Sequence, residues 1–292
     1  MPTRYSHSLL LFSCVLVLAL AGCASRPPAF NGQRALKDVE TQLSFGPRTM
    51  GSEAHDKVVD WMQAQLGKAG WTVEIQETPY AGEYRIRNVI AKRGNGHPWV
   101  LLGAHYDSRF VADHDPDPAA QGQPVPGAND GASGVAVLLE LARVLPKDLD
   151  QQVWLVLLDA EDNGSLPGWD WILGSRALAA QFNGDVDKPD AAIIVDMIGD
   201  ADLNIYYEQN SDSPLSGQIW DQAAQLGHAQ FIAQPKSRML DDHIPFRDAG
   251  IPAVDIIDFD YPYWHTTGDT LDKVSAESLH AVGDTLLAWL LR

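Results

Sequence analysis

The run Val153–Leu158 (VWLVLL) has no polar side chain and leads directly into Asp159, Ala160, Glu161 and Asp162. So short an apolar run, with β-branched and aromatic residues in it, predicts a strand buried on both faces. Two other runs repeat the design. Trp99–Ala104 leads into His105 and Asp107, and Ala191–Val195 leads into Asp196. Further strands are expected at Trp71–Ile75, Ile86–Ala91, Leu203–Tyr207 and Ile251–Ile257. Between them, apolar residues fall at helical spacing over Arg34–Phe45, His55–Ala69, Ala132–Leu145, Ser175–Phe182, Leu215–Leu226 and Ala276–Leu291. In His55–Ala69 the residues Val58, Val59, Trp61, Met62 and Leu66 mark one face. A polar, proline-bearing loop fills residues 108–128. Doubly buried strands alternating with helices predict an α/β fold with a mostly parallel central sheet flanked by helices. No internal repeat and no change of composition divides residues 34–292, which read as one domain.

The chain has 292 residues and is 45% apolar, enough for a sizeable core. Asp and Glu number 39 against 21 Lys and Arg, a formal net charge of −18. A field of that sign repels phosphate backbones, so nucleic acid is excluded as a partner. Residues 1–22 read as a signal peptide, with Arg4 in a basic start and Leu9–Leu20 as an apolar run short for a bilayer span. That run ends in Leu20, Ala21, Gly22 and Cys23, a pattern that resembles the bacterial lipobox. The resemblance implies cleavage before Cys23 and acylation of its thiol. Residues 23–33 then form the lipidated cysteine and a flexible tether. Ala24 after the cysteine points to the outer membrane, facing the periplasm. With Cys14 in the leader and Cys23 acylated, the two cysteines are used up, and the mature domain has no disulfide or thiolate site.

In a parallel sheet the carboxyl ends of the strands lie along one edge, where α/β proteins keep their sites. His105, Asp107, Asp159, Glu161, Asp162 and Asp196 fall there. Asp130, in the run 126–134 (PGANDGASG), precedes a long helix, and His265 follows the last strand. Any one of these acids alone reads as a helix cap or a solvated strand end. Together they crowd charge at the end of a buried sheet, which is tolerated if some are protonated or a cation pairs them. Histidine and carboxylates without cysteine suit a catalytic zinc site. Nucleophile chemistry has no support: Gly131–Val135 (GASGV) lacks the last glycine of a nucleophile elbow, and no phosphate-binding glycine motif occurs.

The ordered set of Gly46–Arg48 (GPR), Gly51, Ser52, His105–Asp107 (HYD), Asn129, Asp130, Glu161, Asp162, Asp196–Gly199 (DMIG) and His265 resembles the zinc exopeptidases of peptidase family M28. That family includes two-metal aminopeptidases and animal-type glutaminyl cyclases. Two details are similar to the cyclase branch: Asp241–Phe246 (DDHIPF), where aminopeptidases usually have Ser at the position of Asp241, and Trp264 beside His265. The long loop from Asp107 to Pro126 also resembles bacterial members of that branch. One departure is Asp162, where most of the family has Glu.

The resemblance implies that Asp130, Asp162 and His265 hold one zinc and that Glu161 is the general acid/base. His105 and Asp196 would hold a second zinc in an aminopeptidase. In a one-zinc cyclase, Asp196 and Asp241 would instead share a hydrogen-bond network with Glu161. Asp107 would support His105 from behind, and Trp264, Trp169 and Trp171 would line the substrate pocket. The implied reaction is conversion of N-terminal glutamine to pyroglutamate, with peptide or protein N-termini as substrates. The second reading is zinc-dependent removal of N-terminal residues. The third is a non-catalytic envelope lipoprotein, against which the presence of Glu161 and His265 speaks.

Overall fold

The computed structural model describes Met1, Thr3 and residues 29–292. Nearly all of the expected leader, Cys23 and most of the tether lie outside the described residues. The end of the tether is already part of the domain. Phe30 is buried, and Asn31 caps helix α1 (Gly32–Ser44) by accepting from the Arg34 amide. The remaining helices are α2 (Glu53–Lys68), α3 (Ala132–Val144), α4 (Leu173–Ala179), α5 (Ser213–Leu226), α6 (His243–Asp248) and α7 (Ala276–Leu290). The strands are β1 (Thr72–Tyr80), β2 (Tyr84–Arg93), β3 (Trp99–His105), β4 (Gln152–Leu158), β5 (Ala191–Asp196), β6 (Ile205–Tyr207), β7 (Phe231–Pro235) and β8 (Ala253–Ile257).

Six strands form the central sheet in the order β1-β2-β4-β3-β5-β8. The pairs β4–β3, β3–β5 and β5–β8 are parallel, and the β1–β2 hairpin joins antiparallel at the edge. Alternation along β4 divides two cores. Val153, Leu155 and Leu157 pack on one face beneath α1, α2, α3 and α7, while Trp154, Val156 and Leu158 pack on the other with Leu178, Phe182 and Phe246. Each fully buried leucine of this kind contributes about 1.5–3 kcal/mol. Helix α3 is buried all round from Ala132 to Ala142, as expected of a helix between the sheet and an outer helical layer. Its Glu140 has no exposure but is satisfied by Arg34 and the Asn31 amide, so one buried carboxylate docks α1 on α3.

The structure departs from the sequence expectation where the apolar signal is weak. Strand β1 extends to Tyr80 rather than stopping at Ile75, because an edge strand with alternating exposure has no continuous apolar run. The run Leu203–Tyr207 supplies β6, which pairs with the unexpected β7 in a separate two-stranded sheet. Helix α6, which begins inside the stretch 241–246 singled out above, is too short to show a period.

Candidate metal centre and active site

The carboxyl ends of β3, β4 and β5 converge as the strand pattern requires. His105 closes β3, Asp196 closes β5, and Glu161 and Asp162 follow β4. Three backbone kinks aim these side chains. Ala160, Met197 and His265 have φ of 53°, 47° and 56°, the left-handed region that non-glycine residues avoid. Each costs on the order of 1–3 kcal/mol and persists only where its surroundings enforce it. Gly131 stands at φ 91°, and a Cβ there would meet the Asp107 carbonyl at 2.7 Å. Gly131, not Asp130, is the N-cap of α3, and no side chain caps it, so the helix-cap reading of Asp130 falls away.

One ligand atom from each of Asp130, Asp162 and His265 lies within 4.8 Å of the other two, and the same holds for His105, Asp130 and Asp196. Asp130 belongs to both sets. His265 Nε2 is 2.8 Å from Asp162 Oδ1 and 4.0 Å from Asp130 Oδ2. His105 Nε2 is 3.1 Å from an oxygen of Asp130 and 3.1 Å from one of Asp196. None of the five side chains is more than a tenth exposed. Despite these approaches, both imidazole nitrogens of His265 and one oxygen each of Asp130 and Asp162 make no hydrogen bond. Buried polar atoms left unpaired are costly, and unpaired atoms on all three side chains of one such set fit a shared cation. An imidazole and two carboxylates suit zinc and leave a position open for substrate.

The groups behind the ligands were only partly foreseen. Asp107 is buried, accepts from the Glu161 amide at 3.0 Å and the Asp162 amide at 3.3 Å, and lies 3.5 Å from His105 Nδ1. Asp269 accepts from the amides of Asn129 and Asp130 and from the Tyr261 hydroxyl at 2.6 Å. Arg109, 2% exposed, grips both oxygens of Asp113 at 2.7 Å and the Asp162 carbonyl at 3.0 Å. Asp113 in turn approaches His265 Nδ1 to 3.5 Å. No sequence reading pointed to Asp269, Arg109 or Asp113 as site residues; the one available signal was the unusual loop that carries Arg109 and Asp113. Asp159, by contrast, faces away from the metal sets. It pairs with His55 Nε2 at 2.7 Å and accepts from the Arg87 amide.

A cavity of about 220 Å³ opens on these residues, with Glu161, Asp196, Asp241, Trp171 and Trp264 in its wall. Trp171 stacks parallel to His265 at 6.1 Å between centroids, and Trp264 lies 3.9 Å from the same ring. A Cβ on Gly164 would stand 2.1 Å from the Trp171 ring, so glycine there admits the indole. Trp169 does not belong to this wall: it packs with Tyr80, Tyr84 and Phe110 in a separate cluster.

Burial sets the electrostatics. It raises the Glu161 carboxyl well above its usual range, opposed by His105 and reinforced by Asp162, Asp241 and Asp242. Burial also pushes Asp196 up to about 7, against His105 and with help from Asp241. Asp162 rises to about 6 through burial and the charge of Asp130, against the pull of His265. Asp130, by contrast, is lowered: burial acts against its charge, but His105 and His265 outweigh it. Carboxyls with strongly perturbed proton affinity in a cleft mark a functional site.

Comparison with known proteins agrees with this geometry. A glutaminyl cyclase of Porphyromonas gingivalis superposes with a TM-score of 0.83 at 34% identity, covering 90% of this chain and 98% of that one. A Zn-dependent exopeptidase of Parabacteroides distasonis gives a TM-score of 0.84 at 33% identity over 90% and 98% of the two chains. In sequence, the chain is 28% identical over 263 residues to a glutaminyl-peptide cyclotransferase of Drosophila melanogaster, covering 78% of this chain and 72% of the other. Residues 88–290 match the family model of peptidase family M28. The chain therefore belongs to peptidase family M28, a family of zinc-dependent enzymes.

Proposed function

We propose that the protein is a glutaminyl-peptide cyclotransferase, which converts the N-terminal glutamine of a peptide to pyroglutamate with release of ammonia. Asp130, Asp162 and His265 would hold one zinc ion. When bound there, zinc supplies a Lewis acid for the amide carbonyl of the substrate. Glu161 accepts a proton from the substrate's α-amine as the amine nitrogen bonds to the γ-carbonyl carbon. Glu161 then delivers that proton to the amide nitrogen, whose bond to carbon breaks to release ammonia. A carboxyl whose proton affinity burial has raised suits both halves of the transfer. Because the amine is tethered to its electrophile, the site must bind, orient and exclude water rather than bring in a second reactant. Trp171 and Trp264 serve that end.

The observation that carries this reading is Asp241 in the same cavity wall as Asp196 and Glu161. Burial raises the proton affinity of all three, and Asp241 adds to the effect on the other two. Three buried carboxyls in one wall can share a proton, as the cyclase reading requires. The second reading, a two-zinc aminopeptidase, is favoured by the close approach of His105 to Asp130 and Asp196. Incubating the zinc-loaded protein with a glutamine-initiated peptide and weighing the products decides between them. Loss of ammonia with one zinc per chain is expected. Release of the first residue with two zincs would overturn the proposal.

The sequence also supports an envelope location: cleavage before Cys23, acylation of its thiol, and an anchor in the outer membrane facing the periplasm. Among the described residues no helix is long and apolar enough to cross a membrane. Cys23→Ser should move the protein from the membrane fraction to the soluble fraction. Retention in washed membranes would refute the anchor.

A further inference from the structure

Few large apolar side chains in the described part of the domain are exposed, and two of them, Leu240 and Phe259, stand in the wall of the metal-site cavity. Leu240 is 52% exposed and Phe259 is 38% exposed, while the acids and His265 deeper in that wall are buried. Leu240 has a second position. It also lines an adjoining cavity of about 290 Å³ between α4 and α6, with Ile172, Ala179, Ala180, Ile244 and Pro245. Ala249 adds to this apolar lining, and the exposed Arg176, Asn183 and Asp248 are its polar members, so the floor is apolar and the rim is largely polar. One leucine thus joins the chemical site to a groove that the reaction itself does not need.

The geometry points to this groove as the binding site for the residues that follow the substrate's N-terminal residue, with a preference for peptides that are apolar at the second and third positions. The inference rests on the proposed function only in placing a peptide N-terminus at the metal site, which the cyclase and aminopeptidase readings share. A peptide with its first residue in the inner cavity must leave past the exposed part of the wall, where Leu240 and Phe259 stand. An extended chain advances about 3.3–3.6 Å per residue. A few residues therefore carry it from the metal over Leu240 and onto the apolar floor. Exposed apolar surface continuous with a reaction cavity gains from being covered, whereas isolated exposed leucines carry no such meaning. The occupant is the substrate's own chain, because the two cavities share a wall residue.

The test compares two pentapeptides with N-terminal glutamine, one continuing in glycines and one with leucine at positions two and three. Wild type is compared with Leu240→Ser and with Ala180→Phe, which places a bulky ring on the exposed rim of the groove, away from the metal-site wall. Partial burial of one leucine is worth about a 3- to 10-fold change in kcat/KM. The leucine peptide should exceed the glycine peptide by that factor in wild type, and the ratio should fall to near one in both variants. Equal kcat/KM values in wild type, or a ratio that survives both variants, would overturn the groove while leaving the cyclase reading intact. If the protein instead releases the first residue, the cyclase reading fails, and the same ratio measured on release decides the groove. Absence of both reactions overturns both.

Discussion

Replacing Glu161 with Gln tests the centre of the proposed chemistry and gives three readouts that move in different directions. The side chain lines the cavity, is 8% exposed, and its backbone amide is held by Asp107 at 3.0 Å, so Gln should occupy the same place. What is lost is the proton acceptor. General acid–base catalysis is worth about 100- to 10,000-fold, or roughly 2.7–5.5 kcal/mol of barrier, and kcat should fall by at least ~100-fold. Zinc content should stay at the wild-type level, because Glu161 is outside the set formed by Asp130, Asp162 and His265. Stability should hold or rise. Burial raises the native proton affinity of Glu161 above that of the unfolded chain, so above the native pKa the ionised carboxylate opposes folding. A neutral amide removes that penalty. The assay is turnover of a glutamine-initiated peptide, elemental zinc analysis and the melting temperature on one preparation. Normal kcat would remove Glu161 from the mechanism, and loss of zinc along with activity would mean that Glu161 and Asp162 have exchanged roles.

Asp113→Asn and Arg109→Met should each weaken zinc binding by about 10- to 100-fold in a chelator competition, because Arg109 locks the carboxylate that faces His265 Nδ1. Unchanged zinc affinity in both variants would show that His265 is held by its loop alone. Glu208 predicts a pH effect away from the metal. Burial works against its charge, but His243 Nε2 at 3.2 Å and the amides of Asn210 and Met239 outweigh that and lower it to about 2. Its stabilising contribution is therefore present above the unfolded value of about 4.5 and is lost as pH falls toward 2. After allowing for solvent screening it is on the order of 1–2 kcal/mol. Glu208→Gln should melt well below wild type at pH 6, with the gap shrinking at pH 3; a gap independent of pH would refute the assignment.

The parts of the fold legible in the sequence are those where burial is two-sided. Strands β3, β4 and β5 lie in continuous apolar runs, and the acids that end them reach one edge because parallel strands share a direction. Exposed edges and short elements left no such trace, which is why the far half of β1, all of β7 and helix α6 were missed. Motif order singles out the side chains that gather in the two candidate metal-binding groups, but not the residues that hold them in place. Asp269 reaches the amides of Asn129 and Asp130 across 140 and 139 residues of chain, and no local pattern encodes such a contact. Trp169 and Trp171 look alike in sequence. Only packing separates them: one fills an aromatic cluster with Tyr80 and Tyr84, and the other stacks beside His265.

Asp162 shows how the departure from the usual family residue is accommodated. An aspartate is one methylene shorter than glutamate, so a backbone unchanged from the longer ligand would leave its carboxylate short of the shared point. Here the backbone around Asp162 is gripped from both sides: Asp107 accepts from its amide at 3.3 Å, and Arg109 donates to its carbonyl at 3.0 Å. Its carboxylate still comes within 2.8 Å of His265 Nε2. Arg109 comes from the long loop after β3, and Phe110 of the same loop donates its amide to Asn163, the residue after Asp162. The long loop therefore packs directly against the backbone of Asp162 and its neighbour. The Arg109 guanidinium fixes the backbone of Asp162, and through Asp113 it also faces the far nitrogen of His265. Two of the three residues proposed to hold zinc thus depend on one buried arginine, and the charge it brings offsets part of the acid crowding that the sheet edge imposes.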